Sequence, residues 1–177
     1  MNLRPLVWVG LVAFILVVYS FMLRALPIPN HQPIFRQIPT QHVAYIHHQG
    51  PYEDMSLLFS ALAKEAKHRI NGHAGAIYFP TKPGQKPIYE AYFPIRNDWV
   101  PQESAIEFKD IPTANMLIFY HVGSYASLPL TYEKIARFFK DSKIFKKPKS
   151  REVYVKGPGC FFKGNPKKYI TEIQFEL

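Results

Sequence analysis

The groups best placed to do chemistry are carboxylates set among apolar and aromatic residues. Glu172 lies in Ile170-Thr171-Glu172-Ile173-Gln174-Phe175, and Glu90 in Ile88-Tyr89-Glu90-Ala91-Tyr92-Phe93. A carboxylate in an apolar cavity is costly to keep charged unless paired, so it attracts an organic cation or takes up a proton. Either glutamate could equally be an exposed strand residue, Glu172 then pairing with a lysine such as Lys168. Tyr52 and Tyr125 each follow a glycine by two positions. Their hydroxyls could face a ligand, or their rings could pack as staples on the helices that follow. Tyr78, Tyr92, Phe93, Trp99 and Tyr154 are further aromatic candidates, as pocket walls or as core.

Metal chemistry is not indicated. His47 and His48 are adjacent in a predicted strand, so they point to opposite faces and cannot share an ion. His48 and His121 are expected to anchor turns by hydrogen bonds. The single cysteine, Cys160, excludes an intramolecular disulfide and a cysteine-based metal cluster. No metal or cofactor is expected.

The elements that must position these residues come in two copies. His48-Gln49-Gly50-Pro51-Tyr52 returns 73 positions later as His121-Val122-Gly123-Ser124-Tyr125. At the same offset Asp54 lies over Ser127, Phe59 over Tyr132 and Ala63 over Ala136, which marks an internal duplication. In the first half, 41–48 reads as a strand and Gly50-Pro51 as its end. Asp54 is the expected N-cap of a helix whose apolar face runs Met55, Leu58, Phe59, Leu62, Ala63, Ala66 and Ile70. Strands at 74–79 and 87–95 follow. The second half repeats the order, with a strand at 113–121, a helix capped by Ser127, and strands at 152–156 and 169–175. A further strand is expected around 105–108, between the halves. Two strand-helix-strand-strand units with the helices on one face of an antiparallel sheet make an α+β domain over 41–177, its halves at about 41–95 and 113–177.

Ahead of it, Pro5 to Leu23 is 19 residues without a charge, bounded by Arg4 and Arg24. As a helix it would span about 28 Å, close to the hydrocarbon thickness of a bilayer. No small-residue cleavage site follows, so residues 1–25 are expected to be a single-pass anchor. The flanking charges nearly balance and leave its orientation open. Residues 26–40, with Pro27, Pro29, Pro33 and Pro39, are expected to form a stiff tether.

The chain carries a net charge of +9, concentrated in one region. Between Lys134 and Lys168 twelve Lys and Arg face only Asp141 and Glu152. The segment from Lys143 to Arg151 is either a solvated loop or a surface for anionic lipid. No motif suits nucleic acid, and none is expected as a partner.

The doubled His-x-Gly-x-Tyr turn into a helix, together with the closing Thr171-Glu172-Ile173-Gln174-Phe175, resembles the GyrI-like small-molecule-binding domain, found as the effector-binding domain of multidrug-responsive regulators. The resemblance covers about Thr40 to Leu177. It implies a groove between the repeats that takes amphipathic, cationic or aromatic ligands, with Glu172 at its base, Glu90 as its symmetric mate, and Tyr52 and Tyr125 at the helix starts. Some members hydrolyse electrophilic small molecules. An enzyme using Glu172 as base, and a protein- or lipid-docking module, are therefore the alternatives to a membrane-anchored binding domain.

Overall fold

The computed structural model describes residues 32–82, 84–142, 149–158 and 164–177. The chain divides into two units, 1–30 and 31–177, and all elements below belong to the second. The expected anchor at 5–23, and 143–148 of the basic loop, lie outside the described residues. Among the described residues no helix is long and apolar enough to cross a membrane.

Among the described residues, eight strands and two α-helices follow one another as β1 (Ile34–Ile38), β2 (Gln41–Gln49), α1 (Met55–Ala66), β3 (Gly75–Phe79), β4 (Ile88–Pro94), β5 (Glu107–Ile111), β6 (Ala114–Val122), α2 (Leu128–Asp141), β7 (Ser150–Lys156) and β8 (Ile170–Glu176). The strands form one antiparallel sheet in the order β1-β6-β8-β7-β3-β4-β2-β5. The two halves meet at its centre, where β7 pairs with β3.

The connections dictate that this sheet is curled. β1 is at one edge and β2 is next to the other, yet only Pro39-Thr40 joins them. Six strand spacings of a flat sheet would put them about 29 Å apart. Two linking residues reach no further than about 10 Å. Pro112-Thr113 joins β5 to β6 under the same constraint. The two linkers meet: the Thr40 amide donates to Thr113 Oγ1 at 3.0 Å, and the two hydroxyls are also 3.0 Å apart.

Thr40 and Thr113 are 73 positions apart, the offset of the repeat. Arg36-Gln37-Ile38-Pro39-Thr40 lies over Lys109-Asp110-Ile111-Pro112-Thr113. The duplicated unit is therefore strand-strand-helix-strand-strand. The expected tether over 26–40 is corrected in its later part, where Ile34–Ile38 pairs with β6 from Ile34 opposite Ile118 to Ile38 opposite Ala114. Pro33 and Pro39 flank this edge strand rather than interrupting it, the position proline tolerates in a sheet.

Each helix covers its own half on the same face. Leu62 and Ala66 of α1 close over Ala44, Ile46, Ala91 and Ile95. Ile135 of α2 closes over Leu117, Phe119, Ile173 and Phe175, with the Phe139 ring edge-on to Phe175 at 4.9 Å. The opposite face has its own cluster of Val43, Tyr92 and Ile111. A short 3-10 turn precedes each helix, at Tyr52–Asp54 and Tyr125–Ser127. It alters the expected capping. Asp54 and Ser127 occupy the N-cap positions, but neither side chain caps its helix. Asp54 Oδ2 instead meets His48 Nε2 at 2.8 Å, and the Ser127 hydroxyl donates to the Ser124 carbonyl at 2.7 Å. His121 bonds the Ser124 carbonyl at 3.0 Å and Thr131 at 2.8 Å. Both histidines thus anchor their turns.

Candidate ligand cleft

Strand alternation decides which candidates can meet. The register from β2 to β6 sets Ala44, Ala91, Ala76, Glu152, Ile173 and Phe119 on the helix face. Glu152 is therefore the acidic residue of the central strand pair that lies between the two helices, and it is 4% exposed. Tyr132 of α2 donates to its Oε1 at 2.6 Å. Tyr78 of β3 and Tyr154 of β7 donate to its Oε2 at 3.0 and 2.9 Å, and their hydroxyls are 3.1 Å apart. Three phenols from both halves thus converge on one carboxylate.

Aromatic rings rise around this centre in two near-symmetric groups. In the first half Tyr52 packs against Tyr78 and Tyr89, with ring centroids 5.9 and 5.8 Å apart. In the second Tyr125 packs against Tyr154 and Tyr169, at 5.5 and 5.4 Å. Phe59 of α1 joins the second group from the first half, edge-on to Tyr154 at 5.6 Å, and packs edge-on to Phe93 at 5.7 Å. Tyr52 and Tyr125 are the exposed members and form the rim.

The electrostatics of the cleft are one-sided. Among the described residues no Lys, Arg or His forms an ion pair with Glu152. Burial, followed by the negative charge of Glu152, drives the hydroxyls of Tyr78, Tyr132 and Tyr154 well above the usual tyrosine range. Tyr125 is pushed up to about 12 by burial first, then by Tyr169 and Glu152. These phenols stay protonated at neutral pH and donate. The site is a buried carboxylate ringed by hydroxyls and π faces, an environment that attracts cations.

Of the predicted site residues, Tyr52, Tyr78, Tyr125 and Tyr154 come together here. The others do not. Glu172 and Glu90 lie on the opposite face of the sheet, because β8 turns Thr171, Ile173 and Phe175 toward α2, and β4 turns Tyr89, Ala91 and Phe93 toward α1. There they form a second symmetric pair of structures. Arg36 of β1 reaches Glu172 at 3.4 Å and Tyr120 at 2.8 Å, and Tyr120 donates to Glu172 at 2.9 Å. Lys109 of β5, the counterpart of Arg36, pairs with Glu90, beside His47 at 3.7 Å. These glutamates fasten the edge strands.

Tyr92 is buried on that opposite face above Gly75, where an added Cβ would come within 2.4 Å of its ring. Trp99 packs edge-on to Phe108 at 4.8 Å and donates to Glu65 at 3.3 Å, toward the C-terminal half of α1. Arg151, the last residue of the expected lipid-facing loop, is 4% exposed and donates to Gln174 at 2.6 Å, so it is not available to lipid.

A family model, GyrI-like small molecule binding domain, matches residues 31–177. The chain belongs to the GyrI-like family. No curated protein sequence matches it. The crystal structure of the EcmrR C-terminal domain is similar to it with a TM-score of 0.64 at 21% identity, covering 82% of this chain and 96% of that one. SAV2435 bound to tetraphenylphosphonium gives a TM-score of 0.54 at 12% identity, over 82% of this chain and 93% of the other. A hydrolase from Listeria innocua gives 0.55 at 12% identity, over 89% and 98%. At these identities the likeness is one of fold. The GyrI-like domain here is a small-molecule-binding domain built from two repeats that face each other across Glu152.

Proposed function

We propose that this GyrI-like domain captures amphipathic organic cations in the cleft between its repeats, with Glu152 as counter-charge and the tyrosines as walls. The observation that carries the reading is the buried Glu152 carboxylate, which holds three phenol donors and no cation among the described residues. A lipophilic cation entering the cleft gains the carboxylate, the ring faces and the apolar burial together. The tetraphenylphosphonium named with the structurally similar SAV2435 is a ligand of this chemical class.

Three of roughly four acceptor sites on the Glu152 carboxylate are taken by tyrosines, which leaves one to face a ligand cation. A thermal-shift assay with tetraphenylphosphonium tests the reading. Ligand at about 100 Kd should stabilise the protein by about 2.7 kcal/mol. Glu152→Gln should abolish the shift, and an undiminished shift in that variant contradicts the assignment.

We further propose that residues 5–23 hold this domain on a membrane as a single-pass anchor, the reading that 19 uncharged residues support. Carbonate-resistant membrane association that disappears on deletion of residues 1–30 is the expected result. Release of the full chain by carbonate contradicts it.

A further inference from the structure

The two halves of the cleft differ at a matched position of their closing strands. Ile88-Tyr89-Glu90 of β4 corresponds to Ile170-Thr171-Glu172 of β8. The registers agree: Tyr89 faces His48 and Tyr78 across its neighbouring strands, and Thr171 faces His121 and Tyr154. Where the first half places a large phenol, the second places a small hydroxyl.

The consequences for hydrogen bonding are opposite. The Tyr89 hydroxyl spans the floor of its half and donates to the Pro51 carbonyl at 2.8 Å. Thr171 is fully buried, and its Oγ1 has no hydrogen-bond partner among the described residues. A buried hydroxyl left unpaired costs about 1–3 kcal/mol, and valine would fill the same volume without that cost. Thr171 pairs across the strands with Tyr154, whose phenol is on Glu152. Tyr125 is 37% exposed and covers Tyr154 and Tyr169, and its hydroxyl rests against Gly157, where an added Cβ would be only 2.6 Å away.

We propose that Thr171 is the polar anchor of a ligand subsite in the second half of the cleft, reached when the Tyr125 ring swings aside. The charge of the ligand then meets Glu152 while an N–H donor on it bonds Thr171 Oγ1. This inference rests on the reading of the cleft as a cation site and narrows the ligand class. The favoured ligand is a protonated amine on an aromatic body, which bonds Thr171 as well as Glu152, whereas a quaternary cation engages Glu152 alone. Tyr89 already closes the corresponding space in the first half, so the subsite is single despite the repeat.

The test uses a matched pair of probes on the full chain, diphenylmethylammonium and its N,N,N-trimethyl derivative, titrated calorimetrically. Relative to wild type, Thr171→Val should weaken the primary ammonium about tenfold and leave the quaternary one within about twofold, as expected for loss of one hydrogen bond to a charged group. Thr171→Ser should keep the wild-type ratio. The melting temperature of Thr171→Val should equal or exceed that of wild type, since no protein bond is lost. If both probes bind through Glu152 but Thr171→Val leaves their ratio unchanged, or lowers the melting temperature, the Thr171 subsite is overturned and the cation site stands. If neither probe binds wild type, both are overturned.

Discussion

Tyr132 and Glu152 face each other across the base of the cleft, the phenol donating to Oε1 at 2.6 Å from a helix that belongs to the same repeat as the carboxylate. Tyr78, which donates to the other oxygen, comes from the other repeat. Glu152 therefore joins the halves as well as charging the cleft. Tyr132→Phe removes one donor and leaves the carboxylate under-satisfied, at a cost of about 1–3 kcal/mol measured by urea denaturation. Because the carboxylate itself is kept, affinity for tetraphenylphosphonium should not fall. A loss of cation binding in Tyr132→Phe would mean that the phenol itself, and not the carboxylate, holds the ligand.

On the opposite face, the side chains of Arg36 and Glu172 are 43% and 11% exposed. Breaking a fully buried pair costs several kcal/mol, but the exposed guanidinium is partly screened by solvent. Arg36→Met should therefore destabilise by about 1–2 kcal/mol in denaturant titrations. Glu172→Gln should leave tetraphenylphosphonium affinity within about twofold, since the whole sheet separates it from the cleft. A tenfold loss would return Glu172 to the binding site.

The cleft tyrosines predict an alkaline transition. Their folded-state pKa values are raised, Tyr89 and Tyr125 to about 12, with Tyr78, Tyr132 and Tyr154 also displaced upward. A raised folded pKa means that the unfolded chain loses its protons first. The stability these phenols contribute is complete below about pH 10 and is lost as pH rises toward 12 and beyond. Absorbance of phenolate should show a subset of tyrosines titrating late, together with unfolding. Titration of all tyrosines near pH 10 in a folded protein would contradict the packing.

His42 predicts a separate transition nearer neutrality. Its two ring nitrogens meet Asp110 and Asp98, each at 2.5 Å. The hydrogen bonds to Asp98 and then Asp110 raise its pKa above the ordinary histidine value. The stability it lends is present below about pH 6.5 and fades as pH rises through the raised value. Stability measured from pH 5 to pH 9 should fall in wild type relative to His42→Gln, and parallel curves would contradict the clamp.

Much of this architecture follows from sequence patterns, and the misplacements have physical causes. The 73-residue offset located both helices, both turns and the rim tyrosines Tyr52 and Tyr125, because glycine turns and helical apolar spacing are local signals. β1 was hidden by its flanking prolines, although the repeated Ile-Pro-Thr at 38–40 and 111–113 marks it. Glu172 was the wrong face of the right strand for the cleft. Thr171, Ile173 and Phe175 form the side that packs toward α2, and period-two alternation sends Glu172 and Gln174 to the other. Glu152 was concealed by its basic surroundings from Lys134 to Lys168, which suggest a solvated region. Its signal was its spacing from Tyr154, two positions along a strand and hence on the same face.

The most direct test of the account is calorimetric titration of the full chain with tetraphenylphosphonium, comparing wild type, Glu152→Gln and Glu172→Gln. The cleft centred on Glu152 predicts binding by wild type and by Glu172→Gln with similar affinity, and its loss in Glu152→Gln. Binding retained in Glu152→Gln, or abolished only in Glu172→Gln, would contradict it.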